Sequence, residues 1–232
     1  PLLVLDSVNK QDITCFGAAD GVIDVYANGG TTPYEYSINN GINYAPSQLF
    51  TNLGNGIYTV VVKDANNCTT SSTIEIIEPP ANIIDSILTK NITCFGGNDG
   101  EIDVYNSGGI APHTYNLQPN NTTNATGDFL NLFAGVYTVT VADANNCTVT
   151  SSVTLTQPPQ LVVTNLNVLN VVCFGDSTGA ITINVSGGTG AITYDISPQT
   201  GQQTVPGYFS NLYSTVYTIT ATDANNCTLT TA

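Results

Sequence analysis

The chain has 232 residues and a formal net charge of −14, because seventeen acidic residues stand against three lysines. This charge excludes binding to nucleic acid phosphates or anionic lipid surfaces, since the chain has too few cations to neutralise a phosphate. No apolar run approaches the roughly 20 residues of a membrane helix, so membrane insertion is not expected either.

One sequence pattern occurs three times along the chain. Cys15, Cys94 and Cys173 are spaced by 79 residues, and a second cysteine ends the letters DANNC in every copy. Proline pairs close the first two copies, and such pairs hold an extended linker. The repeat therefore predicts three domains, over residues 1–79, 80–158 and 159–232. The third copy stops before its last strand should end, so we expect a piece of a longer chain or a strand completed by another chain.

Each copy alternates apolar and polar residues with a period of two. In the letters GEIDVYN, Ile102 and Val104 point to one face, and a Gly-Gly pair ends the strand. Leu53, Gly56 and Tyr58 resemble the tyrosine corner of immunoglobulin-like sandwiches, and the second copy repeats them. The sequence thus predicts an all-β fold of three tandem immunoglobulin-like antiparallel β-sandwich domains in a linear rod.

The letters DANNC predict a hairpin turn, because Asp and Asn bond to their own backbone and tolerate positive φ. We expect one disulfide in each copy, an arrangement that would let each domain fold alone, and a closed loop of 53 residues would add about 4 kcal/mol. The expected pairs are Cys15 with Cys68, Cys94 with Cys147, and Cys173 with Cys227. In a simple sandwich these two positions lie at opposite poles, so the first strand would have to be short, broken or differently threaded. Free thiols and an incomplete zinc site are the alternatives.

The ordered motifs resemble the SprB-type repeat of large surface adhesins of Bacteroidetes. The motifs are TCFG with DG, the Gly-Gly pair, the NL..G.Y segment, DANNCT and EPP, and they cover essentially all of the chain. The resemblance implies a secreted, surface-exposed stalk or adhesin. Disulfides would also require an oxidising compartment outside the cytosol.

Several acidic residues recur in the repeat and could bind calcium, which takes six to eight oxygen ligands. The candidate ligands are Asp20, Asp24, Asp64, Glu78, Asp99, Asp103, Asp143 and Asp223. In this hypothesis Asp143 approaches Glu78 and Asp223 approaches Gln157, so that a cation stiffens each linker. The alternative is that these acids cap turns or face solvent. Apart from possible calcium, no cofactor is expected.

No catalytic arrangement can be drawn. His113 is the only histidine, it has no equivalent in the other copies, and we expect it to be an exposed loop residue. Without arginine, and with a single histidine, the chain lacks a triad or a phosphate clamp. An enzyme is therefore not expected.

Three serines follow aspartate in a way that resembles O-glycosylated sites of exported Bacteroidetes proteins. They are Ser7, Ser86 and Ser177. The alternative is that they are ordinary strand and turn residues.

Two functions fit the sequence. The first is a structural stalk or filament segment that contacts neighbouring repeats or copies of the same chain. The second is a specific module for glycans or a cell surface, using loops that differ among the copies, as binding loops often do.

Overall fold

The computed structural model describes residues 1–232, and every regular element in it is a β-strand. The strands of the first copy are β1 (Val4–Gln11), β2 (Gly21–Asn28), β3 (Glu35–Ser37), β4 (Leu49–Leu53), β5 (Gly56–Lys63) and β6 (Thr69–Ile76). Those of the second are β7 (Ile83–Lys90), β8 (Gly100–Ser107), β9 (Thr114–Gln118), β10 (Thr122–Asn124), β11 (Asp128–Leu132), β12 (Gly135–Ala142) and β13 (Thr148–Leu155). Those of the third are β14 (Val162–Leu169), β15 (Gly179–Ser186), β16 (Thr193–Ser197), β17 (Gln202–Val205), β18 (Tyr208–Leu212), β19 (Thr218–Thr222) and β20 (Thr228–Thr231). No helix is present that is long and apolar enough to cross a membrane.

The strands of each copy form two sheets. In the first copy the sheets have the orders β1-β2-β4 and β3-β5-β6, and all their pairs are antiparallel. The second copy has the orders β11-β8-β7 and β10-β9-β12-β13, and the third has β14-β15-β18-β17 and β16-β19-β20. Placing the first, second and fourth main strands in one sheet and the third, fifth and sixth in the other is the immunoglobulin-like arrangement. The predicted all-β, immunoglobulin-like fold is confirmed, while the linear rod stays a prediction.

The core of the first copy follows the predicted alternation. Ile23 and Val25 come from one sheet, Val60 and Val62 come from the other, and all four are fully buried. In the third copy Ile183 and Phe209 pack with Ile219 in the same way. Because successive strand residues face opposite sides, each sheet contributes every second residue to this apolar layer.

The tyrosine corner is present in every copy. Tyr58 and Tyr137 each donate a hydrogen bond of 2.9 Å to the carbonyl oxygen four residues earlier. Tyr217 makes the same bond at 3.3 Å. Thr215 replaces the glycine at which β5 and β12 begin, and β19 begins only at Thr218. The corner of the third copy is thus preserved, but its following strand starts later.

By density of contacts the chain divides into two compact units. The first contains Pro1–Ser86, Val104–Gly127 and Val139–Ser151. The second contains Ile87–Asp103, Asp128–Thr138 and Ser152–Ala232. The predicted domain boundaries, after residues 79 and 158, stay predictions.

Candidate functional site

The six cysteines fall into two sets. The loop cysteines follow the first strand of each copy and are Cys15, Cys94 and Cys173. The hairpin cysteines end the DANNC turns and are Cys68, Cys147 and Cys227. Each observed disulfide joins a loop cysteine to the hairpin cysteine of the following copy, as Cys15–Cys147 and Cys94–Cys227.

The predicted pairing within each copy is wrong. Cys15 does not pair with Cys68, Cys94 does not pair with Cys147, and Cys173 does not pair with Cys227; Cys68 and Cys173 are exposed free thiols. The predicted independence of each domain's disulfide is wrong for the same reason.

The geometry of the first copy explains this result. The amide of Ile13, two residues before Cys15, bonds to the carbonyl of Ile77, just beyond the last residue of β6. Cys68 immediately precedes the first residue of that strand. The eight residues of β6 place the two positions about 26 Å apart. Because bonded cysteines need Cα atoms within about 7 Å of each other, a bridge within one copy cannot form.

The DANNC turn is built around a buried aspartate. Asp64 accepts hydrogen bonds from the amides of Thr31, Asn66 and Cys68, at 2.9 to 3.0 Å. Asn67 has a φ of 63°, as predicted for this turn. Asp143 and Asp223 repeat the three bonds in the other copies. The aspartate therefore holds the backbone of the turn that carries the hairpin cysteine.

These aspartates titrate below their ordinary range. Burial of the Asp64 carboxyl raises its pKa, but the amides of Cys68, Thr31 and Asn66 outweigh burial and lower the pKa overall. The same opposing causes lower the pKa of Asp143 and of Asp223. A carboxyl whose pKa is lower in the folded than in the unfolded chain stabilises the fold above the unfolded pKa.

We therefore expect the free energy of unfolding to fall as the pH drops below about 3.9, the pKa of unfolded aspartate, towards the lower folded values. Urea unfolding between pH 7 and pH 2 measures this change. In the variant Asp143→Asn the free energy of unfolding should depend less on pH, because the variant lacks one carboxyl whose pKa is lowered in the folded chain. Replacing the exposed Glu75 with glutamine is the control. If the free energy of unfolding depends on pH in the same way in both variants, the Asp143 carboxyl does not stabilise the fold as described.

The first joint, in the first compact unit, has more than a disulfide. Asn145 Nδ2 donates a hydrogen bond of 2.8 Å to the carbonyl of Thr14, beside Cys15. The Gly17 amide donates one of 2.6 Å to Glu78 Oε1, just before the proline pair. The loop that carries Cys15 thus binds both the linker and the hairpin that carries Cys147.

The second joint, in the second unit, repeats these bonds. Asn225 Nδ2 donates to the carbonyl of Thr93 at 3.1 Å. The Gly96 amide donates to Gln157 Oε1 at 2.7 Å. Because an amide oxygen replaces the carboxylate of Glu78 here, the contact needs a hydrogen-bond acceptor and not a charge. Glu78 and Gln157 were singled out from the sequence only in the calcium hypothesis, and Asn145 and Asn225 were not singled out, although the asparagine of DANNC recurs in every copy.

The predicted ligands Asp20 and Asp99 hold the cysteine loops. Asp20 accepts from the amide and hydroxyl of Thr14, and Asp99 does so from Thr93. The bonds from these threonines lower the pKa of both carboxyls. In the third copy Thr178 Oγ1 accepts from the Val172 amide at 3.2 Å, so the loop is held there by a hydroxyl.

The other predicted calcium ligands lie apart. Asp24 accepts from the Tyr26 hydroxyl at 2.6 Å, while its buried Oδ1 has no hydrogen-bond partner. Asp103 lies on β8 opposite Asp128 of β11, and Glu78 bonds to Gly17. No three His, Cys, Asp or Glu side chains form a group that could hold a metal ion. The structure does not bring the eight acids together, and calcium binding stays a prediction.

His113 occupies a structural position. It is half-buried, unlike the exposed loop residue expected, and its Nε2 lies 3.0 Å from the carbonyl oxygen of Gly108. In the first copy the hydroxyl of Tyr34 donates to the carbonyl of Gly29 in the same way. His113 therefore replaces a tyrosine that closes the turn after the second strand.

The predicted glycosylation sites differ in access. Ser7 lies on β1 and Ser86 on β7, both exposed on strands at the edge of a sheet. Ser177, in the loop before β15, is half-buried. Modification of these serines stays a prediction.

Comparison with known families gives the same repeat. The model of the family described as SprB repeat matches residues 7–43, 87–122 and 165–201, which confirms the resemblance and its three copies. SprB repeats are found in cell-surface proteins, and this repeat family is not one of enzymes. No curated protein matches the chain.

The structure is also similar to two solved structures at low sequence identity. The eight N-terminal Ig domains of Down Syndrome Cell Adhesion Molecule isoform 1.30.30 align at 13% identity and a TM-score of 0.47, over 100% of this chain and 36% of that one. This chain therefore spans about a third of that structure. The C-terminal fragment of intimin, bound to the Tir intimin-binding domain, aligns at 13% identity and a TM-score of 0.40, over 69% and 67%. Because both TM-scores are below 0.5, neither likeness supports a conclusion about this chain.

Proposed function

We propose that this chain is a structural segment of a secreted surface adhesin in which each repeat is covalently fastened to the next. The SprB repeats and the immunoglobulin-like fold support an extracellular adhesin-type segment. Disulfides, which persist in oxidising compartments, support a location outside the cytosol. We further propose that its partners are neighbouring repeats or copies of the same chain.

The observation that carries this proposal is the pairing of cysteines between copies. The bridges Cys15–Cys147 and Cys94–Cys227 interlace, because Cys94 lies inside the loop that the first bridge closes. When the chain is pulled from its two ends and the second copy unfolds, both disulfides still lie in the covalent path that carries the force. Such interlaced disulfides suit a segment that bears tension.

The extension of the chain under force tests the proposal. With both bridges intact, the shortest covalent route from end to end runs through residues 94–147 and the two disulfides, so full extension should reach roughly 250 Å. After reduction all 232 residues can extend, to about 800 Å. Single-molecule pulling from the two ends, with and without reductant, measures both lengths.

A variant with all six cysteines replaced by serine is the control, and its extension should match that of the reduced chain. Equal extension of the untreated and reduced chains would contradict the load-bearing role. Peptide mapping of the untreated chain checks that the bridges under load are those described.

A specific binding module is the second candidate. The loops that differ among copies form different structures: β10 adds to β9 in the second copy, whereas β17 adds to β18 in the opposite sheet of the third. These are surfaces that one copy has and the others lack. Saturable binding to a glycan array, lost when the segment 118–128 is replaced by that of another copy, would support this function.

A further inference from the structure

The third main strand of each copy is β3, β9 or β16, and its outer side is covered in two copies but open in the third. In the first copy the amide and carbonyl of Tyr36 on β3 exchange two hydrogen bonds of 2.8 Å with Ala45, from the loop that follows. In the second copy Thr122–Asn124 of β10 pairs with β9. In the third copy β16 lies at the edge of its sheet, and neither a strand nor an isolated bridge pairs with its outer side. Such an edge presents backbone groups that can pair with another chain.

The loop after β16 explains the difference. It has ten residues, 198–207, whereas the loop after β9 has nine, 119–127. Its strand β17 pairs with β18 in the opposite sheet and does not return to β16. The two joints between copies are built from the cysteine loops, the linkers and the DANNC turns, so β16 lies outside them. A further repeat joined in the same way would therefore leave this edge open.

The side chains of β16 are less covered than those of its counterparts. Tyr36 and Tyr115 are 7% and 8% exposed, whereas Tyr194, their equivalent, is half-buried. Tyr194 lines a hollow of about 270 Å³ with Val205 and Pro206. The hollow lies where β16 and β17 form the edges of the two sheets. A strand added to β16 would place its inward side chains against this apolar lining.

The charge of the third copy favours a cationic partner. Residues 159–232 contain three aspartates and no Lys, Arg or His. Asp195 is exposed in the middle of β16, and its Oδ1 accepts a hydrogen bond of 3.0 Å from the Ile196 amide. Asn116, the equivalent of Asp195 in the second copy, donates one of 2.9 Å to Thr123 Oγ1 on the added strand. The corresponding residue of a strand added to β16 would therefore lie beside the Asp195 carboxylate.

We propose that β16 binds an extended cationic segment of another protein as an added antiparallel strand. The segment has a Lys or Arg opposite Asp195 and aliphatic residues opposite Tyr194 and Ile196, because opposite residues of paired strands lie on the same face. Its backbone bonds to Tyr194 as Ala45 bonds to Tyr36. One of its carbonyls replaces Asp195 at the Ile196 amide, which frees the carboxylate for the cation. The inference goes beyond the proposed function, because it gives the third copy a binding site of its own.

A second copy of this chain does not have the chemistry of this segment. None of its three lysines stands between two aliphatic residues, and the net charge of −14 makes two copies repel each other. A cationic peptide is attracted instead. Salt screens this attraction with a Debye length of about 8 Å at 0.15 M, so binding should weaken as ionic strength rises.

The test titrates the full chain with an acetylated and amidated peptide of the sequence TTVKVTT and follows the backbone amides by NMR. Saturable binding should shift the amides of Thr193–Ser197 and slow hydrogen exchange at the Tyr194 amide. In the free chain that amide should exchange much faster than the Tyr36 amide, which is bonded to Ala45. The peptide TTVEVTT should bind about tenfold more weakly, because its glutamate faces a carboxylate. A TTVKVTT peptide that is N-methylated at both valines cannot donate to β16 and should not bind.

Variants of the chain locate the site. Asp195→Asn should bind the lysine and glutamate peptides equally. Asp176→Asn is the matched control, because it removes an exposed aspartate of the same copy outside β16 and should keep the preference for lysine. Replacing residues 198–207 with 119–127 should cover the edge with the chain's own strand and abolish binding, and thermal melting checks that this variant folds. If it does not fold, the pair of aspartate variants decides.

Three results would overturn the proposal. They are equal binding of both peptides to the unmodified chain, amide shifts confined to residues outside β16, and a Tyr194 amide that is as protected in the free chain as that of Tyr36. A free chain that dimerises through β16 would also overturn it, because the occupant would then be a second copy. None of these results bears on the extension experiment, which depends only on the two bridges within the chain.

Discussion

Replacing both Cys15 and Cys147 with serine is expected to lower the free energy of unfolding by about 5 kcal/mol. The bridge closes a loop with a sequence separation of 132, and the chain-entropy relation gives this loss for a loop of that length. In a chain of this size the loss should lower the melting temperature by about 10 to 20 °C. Urea unfolding and calorimetry measure the two quantities.

The matched control replaces the two free cysteines, Cys68 and Cys173, with serine. Because both side chains are exposed and unbridged, this variant should unfold like the parent chain. A large loss in the control, or none in the Cys15 and Cys147 variant, would mean that the bridges between copies do not stabilise the fold.

Replacing Gly108 with alanine is expected to cost about 3 kcal/mol or more. Gly108 has a φ of +71°, and an added Cβ would lie 1.8 Å from the carbonyl oxygen of Ala81 in the linker. The change therefore adds a close contact with backbone to the ordinary cost of a left-handed residue. Urea unfolding of the full chain measures the loss.

Replacing Gly96 with alanine separates the cost of the left-handed backbone conformation from the cost of the close contact. Its φ of +73° is nearly the same, but an added Cβ there meets no atom within 4 Å. Gly96→Ala should therefore cost only about 1 to 2 kcal/mol, the price of the backbone conformation. If the two variants lose equal stability, the linker does not press against Gly108 as described.

The fold was predictable because local rules specify it. The alternation around Ile102 and Val104, the Gly-Gly pairs and the tyrosines of the corners each report the environment of one strand or turn. Three copies of the same pattern multiply these local signals. The two added strands, β10 and β17, lie in the loops that vary, where the repeat gives no such support.

The disulfide pairing could not be taken from the repeat alone. A spacing of 79 residues describes pairing within a copy and pairing between copies equally well. The deciding fact is the position of Cys15 near Ile77, at the end of β6 remote from Cys68, and this depends on sheet register. Asp64 and Asp20 recur in the repeat because a turn and a loop each need an acceptor for backbone amides.

The interlaced bridges also bear on resistance to proteolysis. A cut at any single peptide bond between Cys15 and Cys227 still leaves one or both bridges joining the two fragments. Exposed loop tips are the places where such cuts concentrate. A molecule cut once would therefore stay covalently joined until a reductant broke the remaining disulfides.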